Sequence, residues 1–323
     1  MDDRALLAKL AAGRVSGDVL AREFGLTRAA VWKRIQNLRA AGVEIEGRPG
    51  DGYGLAYSVE LLDAQAISAA LPMAVRDQLT ALEVAWTLES TNTALLARPA
   101  PAPAHGVQAL LAERQTGGRG RRGRQWSSPL AAHLYLSLSR GFAGGLAQLA
   151  GLSLAVGVAV AEALRAEGFN EVGLKWPNDV LAEGAKLGGL LVEGGGEVAG
   201  PARAVIGLGL NVHMPAAAAA GIGQRWVDLD TLAGRSVSRN RIAAALLAAL
   251  LPALDQFDVQ GLAPFLPRYA ALDLLTGRTV RVEDAGRLCE GIARGLAPDG
   301  ALQVELAEGL RHFHAGEVSV RPQ

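Results

Sequence analysis

Gln115-Thr116-Gly117-Gly118-Arg119-Gly120-Arg121-Arg122-Gly123-Arg124-Gln125-Trp126 interleaves four arginines with four glycines. Glycine lets backbone N–H groups come close to an anion, and arginine offers a fork of donors to phosphate or carboxylate. Strand-like stretches lie on both sides, at residues 110–112 and 133–139, so the run is a short loop inside a folded body. That context favours a small-molecule anion site over an RGG-type nucleic-acid segment. No Gly-Lys-Ser/Thr follows, which excludes a Walker A loop, and no helix opens directly after it, which excludes a dinucleotide fingerprint. Four like charges and the ordering cost of glycine predict a loop that stays mobile until an anion fills it.

Working outward, residues 171–176, 188–193 and 204–212 read as further strands set among apolar helices. The body from residue 84 to about 270 is therefore expected to be a mixed α/β (α+β) domain. Of its 32 basic residues the whole chain has only four lysines: Lys9, Lys33, Lys175 and Lys186. Where arginine is the habit, a lysine marks a place that wants a compact charge. Lys175 opens Lys175-Trp176-Pro177-Asn178-Asp179, and Lys186 opens Lys186-Leu187-Gly188-Gly189-Leu190-Leu191-Val192-Glu193. Ser90-Thr91-Asn92 is a weaker candidate, since capping a helix is the ordinary use of such a tripeptide. The segment 216–223 is rich in alanine and glycine and shows no chemistry.

Half of the 323 residues are apolar and 20% are charged, enough for a sizeable core and too apolar for a wholly disordered chain. Basic and acidic residues number 32 each, which excludes a globally basic coat protein or an acidic tail but not a local patch. One cysteine, Cys289, leaves no internal disulfide framework and no multi-cysteine metal site. Histidines 105, 133, 213, 312 and 314 show no metal spacing beyond His312-x-His314, read as structural. The longest uncharged apolar runs, 149–161 and 242–254, have 13 residues each, against about 18 for a membrane span. They read as buried helices, with no membrane association expected. Met1-Asp2-Asp3-Arg4 is unlike a secretory signal, and the expected compartment is a reducing cytoplasm.

Residues 1–60 read as a separate unit. Helical spacing covers residues 3–11, 17–24 and 28–41, and strands follow at 43–45 and 53–57 around Arg48-Pro49-Gly50-Asp51-Gly52. That is the layout of a winged helix-turn-helix. Arg22 through Arg39 holds five basic residues and one acidic, and Arg28, Lys33, Arg34 and Arg39 are its DNA-binding candidates. Residues 61–83 read as a helical connector broken at Pro72, so removing residues 1–60 is expected to spare the chemistry. Pro99, Pro101 and Pro103 read as a stiff exposed loop. From 271 to 323 short strands alternate with turns at Asp284-Ala285-Gly286, Pro298-Asp299-Gly300 and Glu308-Gly309, a small β-barrel.

Ser-Thr-Asn, Gln-x-x-Gly-Arg-Gly-Arg-x-x-Arg-x-Trp, Lys-Trp-Pro-Asn-Asp, Lys-Leu-x-Gly-x-Leu-x-Glu and Ile-Gly-x-Gly-x-Asn-Val occur in this order. Together they resemble the biotin protein ligases, over essentially the whole chain, and the winged helix resembles that of the bifunctional type that also represses biotin genes. The resemblance implies a class II synthetase-like mixed-sheet catalytic domain and an SH3-like C-terminal domain. It also implies a two-step reaction: biotin and ATP give biotinyl-5′-AMP and pyrophosphate, then a lysine of a biotin carboxyl carrier protein takes the biotin. Lys186, Arg119 and Arg121 are implied as catalytic cations. Ser90, Thr91, Asn92, Gln115, Arg119, Gly120, Arg121 and Lys186 are implied to hold biotin. Arg121, Arg122, Arg124, Trp126, Lys175, Asn178, Asn211 and Arg321 are implied to hold ATP, and Asn178-Asp179 resembles the turn beside the nucleotide. Mg²⁺ is expected to arrive with ATP. Operator DNA and a homodimer of the adenylate-bound form are the further partners. Two positions depart from the family: His133 stands where Asn is frequent, and Gly117 where Ala is usual. A lipoate-type ligase would lack the full arginine-glycine loop, and a ligand-sensing transcription factor would not need Lys186 with four loop arginines.

Overall fold

Asp2, Ser16 and Thr27 open the first three helices. Each side-chain oxygen accepts the backbone N–H three residues on, at Ala5 (2.9 Å), Val19 (3.2 Å) and Ala30 (3.1 Å), satisfying a donor orphaned at the helix start. The helices are α1 (Asp3–Ala11), α2 (Gly17–Glu23) and α3 (Arg28–Ala40), followed by the antiparallel hairpin β1 (Ile45–Arg48) and β2 (Gly52–Leu55). Leu6, Leu7, Leu20, Val31, Ile35 and Leu38 are buried in one small core. The unit is a winged helix-turn-helix. Its hairpin starts two residues later than the sequence reading placed it. The Val43 N–H is used to close α3, donating to Leu38 O at 3.0 Å, with Gly42 at φ 103° in the left-handed region. The structure is a computed structural model and describes residues 2–48, 50–101, 106–196, 202–284, 287–314 and 318–322. Pro49, Pro103, His105 and the Ala285-Gly286 turn lie outside these.

After the short helices α4 (Ala64–Ala70) and α5 (Met73–Arg76) comes β3 (Leu79–Ala85), so the central sheet begins inside the expected connector. The body continues as α6 (Thr91–Leu96), β4 (Val107–Ala112), β5 (Leu134–Phe142), α7 (Leu152–Ala166), β6 (Gly173–Lys175), β7 (Asp179–Ala182), β8 (Ala185–Gly196) and β9 (Ala202–Leu210). It closes with α8 (Ala216–Ala219), α9 (Leu229–Ala233), α10 (Arg239–Gln260) and α11 (Leu266–Ala270). The seven strands lie in the order β3-β4-β5-β9-β8-β7-β6. β3 and β4 run parallel; every other neighbouring pair is antiparallel.

Side chains alternate across the sheet, and the two faces differ in kind. Ala109 and Leu111, Leu134, Leu136 and Leu138, Ala204, Ile206 and Leu208 point into the main core, which α7 and α10 cover. Leu110 and Val205 point the other way, onto Leu95 of α6. On that second face β5 carries Ser137 and Ser139, and β9 carries Gly207 and Gly209. Residues 146–166 and 239–260 are long and apolar enough to cross a membrane by length and composition, and 56% of each is buried within the protein.

The junction after the winged helix is pinned rather than free. Leu62 N–H donates to Glu113 Oε1 at 2.6 Å. Arg239 donates to the carbonyls of Glu60 and His133 and pairs with Glu113 at 2.8 Å, both side chains almost wholly buried. Glu60 caps the start of α10 through Ser238 Oγ (2.9 Å) and Asn240 N–H (3.0 Å). The winged-helix core also takes in Leu130 and Ala131 of the body, and Leu130 N–H donates to Ala41 O at 2.8 Å. Removal of residues 1–60 would therefore strip a cap from α10 and bare the apolar surface of Leu130 and Ala131.

A five-stranded antiparallel sheet, β10 (Thr279–Asp284), β11 (Arg287–Leu296), β12 (Leu302–Leu306), β13 (Gly309–Phe313) and β14 (Val318–Pro322), ends the chain in the order β13-β12-β11-β10-β14. Val280, Val282, Ala293, Leu302, Val304 and Phe313 join the main core. The buried Trp176 donates its indole N–H to Gly300 O at 3.0 Å. At the junction, Glu113→Ala is expected to leave Arg239 buried without its counter-charge. Urea unfolding should then show a loss of about 3–5 kcal/mol.

Candidate active site

On the glycine-bearing face of the sheet lies a cleft of about 1030 Å³. Its first wall is the start of α6. Ser90, Thr91, Asn92 and Ser137 are all buried, and they are wired together. Gln115 Oε1 accepts from the Thr91 N–H (2.8 Å) and hydroxyl (3.1 Å). Ser137 Oγ sits 2.7 Å from Thr91 Oγ1 and 2.6 Å from Asn92 Oδ1. Asn92 Nδ2 donates to Leu191 O (3.1 Å) and Glu193 Oε2 (2.9 Å). The result is a rigid polar end to the cleft, suited to a neutral ligand group with both donors and acceptors.

The floor is bare backbone. A Cβ at Gly207 would lie 2.4 Å from Asn92 Oδ1, and one at Gly209 2.5 Å from the Trp126 ring. Trp126 lies across this floor, and the Lys186 ammonium stands 5.6 Å from its ring centroid, within cation–π range.

The arginine-glycine loop folds back as a small hairpin, with Gly120 N–H donating to Arg124 O (2.7 Å) and Trp126 N–H to Gly118 O (2.9 Å). Arg121 Nη1 reaches Asn178 Oδ1 at 3.1 Å. Burial, and then Arg122, lower the Arg121 pKa while Asp179 opposes them; a guanidinium stays charged all the same. The expected mobility assumed that the loop had no anion of its own. Two carboxylates of the chain supply one: Glu193, 2.6 Å from Arg119 Nη2, and Asp179 near Arg121.

Asp179 also sets the lysines. Its carboxylate is 2.7 Å from Lys186 Nζ and 4.0 Å from Lys175 Nζ. Lys186 is further fixed through its backbone. Its N–H donates to Arg225 O, its carbonyl accepts from Val227 N–H, both at 3.0 Å, and Asn211 Nδ2 donates to the same carbonyl at 3.2 Å. Beneath Asn211, the buried His133 accepts the Val212 N–H on Nδ1 (3.2 Å). Burial, with His213 and Arg239 adding to it, pushes the imidazole down to about 3, so it stays neutral and keeps its acceptor.

All the expected ligand residues but one line this cleft: Ser90, Thr91, Asn92, Gln115, Arg119, Gly120, Arg121, Arg122, Arg124, Trp126, Lys175, Asn178, Lys186 and Asn211. Arg321 lies in β14 opposite Arg281, and its side chain is outside the described part. Seven basic side chains and a single acidic one face the space, an electrostatic funnel for polyanions. Arg119 differs from its neighbours in turning its guanidinium to Glu193. The end of the segment read as featureless, Gly221 to Gly223, lines the cleft together with the residues that follow it, Gln224, Arg225 and Trp226. Sequence reasoning placed Asp179 beside the nucleotide but gave it no lysine partner, and it assigned no role to Ser137 or to Glu193, although Glu193 lies in a quoted motif.

On α3 the exposed face carries Arg28, Lys33 and Trp32, whose ring is 57% exposed. The other two DNA candidates are engaged within the unit. Arg34 pairs with Asp3 at 2.9 Å, and Arg39 Nε donates to Ile45 O at 3.0 Å. Arg28 likewise pairs within the unit, with Asp18 at 3.1 Å.

The chain is 39% identical over 317 residues, 98% of its length and 96% of the relative's, to the bifunctional ligase/repressor BirA of Escherichia coli strain K12. It belongs to the biotin protein ligase family. Residues 84–211 match the biotin/lipoate A/B protein ligase family, residues 4–54 an HTH domain, and residues 275–321 the biotin protein ligase C-terminal domain. The biotin–[acetyl-CoA-carboxylase] ligase of Mycobacterium tuberculosis is 39% identical over 243 residues, 73% of this chain and 88% of that one. Among solved structures, the Aquifex aeolicus biotin protein ligase in complex with biotin and ATP is similar at 27% identity with a TM-score of 0.64, covering 76% of this chain and all of that one.

Because Gly209 makes room for Trp126, Gly209→Val is expected to lift the indole off the floor. ATP titration should weaken by about tenfold, in keeping with an overpacking cost of 1–3 kcal/mol. Far-UV circular dichroism should stay native.

Proposed function

We propose that this cleft activates biotin with ATP and passes it to a lysine of a biotin carboxyl carrier protein. The observation that carries the reading is one cleft joining the buried polar end at α6 to a cluster of cations around Lys186 and Arg121. The polar end, with Thr91, Asn92 and Gln115, suits the ureido ring. The cations suit a carboxylate and a triphosphate that must meet despite their mutual repulsion. A biotin carboxylate oxygen attacks the α-phosphorus, the bond to the β-phosphate oxygen breaks, and pyrophosphate leaves. The ε-amine of the carrier lysine then attacks the acyl carbon, the acyl–oxygen bond breaks, and AMP leaves as the amine loses its proton. Lys186, held in place by Asp179, and Arg121 balance the charge that gathers in the first step. Trp126, Asn178 and the exposed Arg122 and Arg124 are assigned to the nucleotide.

Mg²⁺ finds no protein-built cage: no cluster of three acidic, histidine or cysteine ligands occurs among the described residues, and Asp179 is engaged by Lys186. We assign the ion to the nucleotide's own phosphates. With ATP as co-substrate, the enzyme is placed in the cytoplasm.

The reading is tested by pyrophosphate release from biotin and ATP. Lys186→Ala should lower the rate by about 10²–10³ with the fold retained; a variant within about threefold of wild type overturns the assignment.

We further propose that α3 reads operator DNA with Arg28 and Lys33. Lys33→Ala should weaken binding uniformly across sequences and lower the salt slope by about one. Arg34→Ala and Arg39→Ala should instead lower the thermal stability of the winged helix.

A third proposal concerns assembly. A two-fold dimer would present two α3 helices to two half-sites. An adenylate in the cleft neutralises loop cations that would otherwise repel a second copy. Sedimentation at fixed protein concentration should show dimerisation strengthened by biotin plus ATP, with a coupling of about 1–3 kcal/mol. An unchanged monomer–dimer constant would leave the ligase intact and remove biotin control of the repressor.

A further inference from the structure

Glu193 faces the glycine-bearing side of β8, two strand positions beyond Leu191, and is paired in register with Val205 of β9. It is not among the residues that line the cleft, yet it touches two that are. Its Oε2 accepts from Arg119 Nη2 at 2.6 Å and from Asn92 Nδ2 at 2.9 Å. Asn92 is in turn fixed by Ser137 and by the Leu191 carbonyl, and the missing side chain of Gly207 is what lets it approach. One carboxylate oxygen on a rigid strand therefore joins the polar end of the cleft to the arginine-glycine loop. Arg119 is also the base of that loop's hairpin, bridged to Gln125 across it. Fixing Arg119 fixes both arms, and Arg121, Arg122 and Arg124 are carried at the tip.

We propose that Arg119 and Glu193 form a clasp that holds the loop closed, with Arg119 a positioning residue and not a ligand of the substrates' anions. Arg121 then acts as the inward-facing catalytic cation of the loop. The clasp rests on the ligase reading for its purpose but not for its existence. It is half-exposed, so its contribution to overall stability is small; its effect is to place the loop.

The test compares Arg119→Gln, Glu193→Gln and the double variant in the full chain. Glu193→Gln keeps a side-chain oxygen for Asn92 while removing the charge that Arg119 needs. Two readouts are taken: the rate of trypsin cleavage at the loop arginines that all variants keep, without ligands, and pyrophosphate release with biotin and ATP. Each single variant should speed loop cleavage and slow pyrophosphate release by about tenfold, and the double variant should be no worse than either single one, as coupled partners require. Two results overturn the clasp. One is Arg119→Gln losing about 10² or more in rate, as for an anion ligand, while Glu193→Gln stays near wild type. The other is both single variants matching wild type in loop cleavage. Absence of pyrophosphate release from the wild-type protein would sink the ligase reading alone, because the cleavage comparison needs no substrate.

Discussion

At Gly207 and Gly209 the backbone of β9 has no side chain, and Asn92 Oδ1 and the Trp126 ring occupy the space that a Cβ would need. These two close approaches set the depth of the cleft. The opposite face of the same strand carries Ile206, Leu208 and Leu210, all buried in the core beneath α7 and α10. A strand is packed on one face and bare on the other only if its residue type alternates from one position to the next, and β9 does this over its last five residues. The register β8 keeps with β9 sets Gly189 opposite Gly209, so the bare floor reaches a second strand there. Lys186, Trp126 and Asn92 meet because the sheet there has nothing in their way.

The second constraint is the buried pair Arg239–Glu113. Two charges taken out of water cost several kcal/mol each and are tolerated only when their remaining donors and acceptors are satisfied. Here Leu62 N–H and the carbonyls of Glu60 and His133 do so. They come from the segment behind the winged helix and from the start of β5. His133 also accepts the Val212 N–H, and Val212 follows Asn211, whose amide holds the Lys186 carbonyl. The winged helix and Lys186 are thus a few hydrogen bonds apart.

Much of this was legible in the amino-acid order. Periodicity located the three helices of the winged unit because their caps, Asp2, Ser16 and Thr27, are side chains with one usual role. The strands β5, β8 and β9 were visible, as were the cations, because glycine, lysine and arginine stood out against an alanine- and leucine-rich background. β7, only four residues long, was missed; Asn178-Asp179 read as the end of a turn. Strand β3 was assigned to the connector because its apolar residues resemble a continued helix over so short a span. The inward turn of Arg34 and Arg39 depended on Asp3 and on the Ile45 carbonyl, which only the tertiary fold brings near. Gly221 to Gly223 gave no signal because small side chains carry no chemical signature, and Arg225 and Trp226 gave none because they stand outside every quoted motif. Glu193 was quoted in a motif yet given no task, because its partners lie about a hundred and about seventy positions away and pairing at such distance follows from the sheet, not from spacing.

The bond from Trp176 to the Gly300 carbonyl has a mechanical consequence. Lys175, Asn178 and Asp179, which flank that indole in sequence, all line the cleft, while Gly300 belongs to the turn before β12. The strand entering the turn is held from the same side, with Leu174 bonded to the Leu272 carbonyl and Leu274 to the Leu174 carbonyl. The turn between β6 and β7 is therefore braced from the C-terminal unit as a shelf is by a bracket. Loosening that sheet, by heat or by a fusion that pulls on it, would free the Trp176 indole and the turn after it, while β7 kept Asp179 in register with Gly189 of β8. The C-terminal unit is in this sense part of the catalytic apparatus, although among the described residues none of its side chains reaches the cleft.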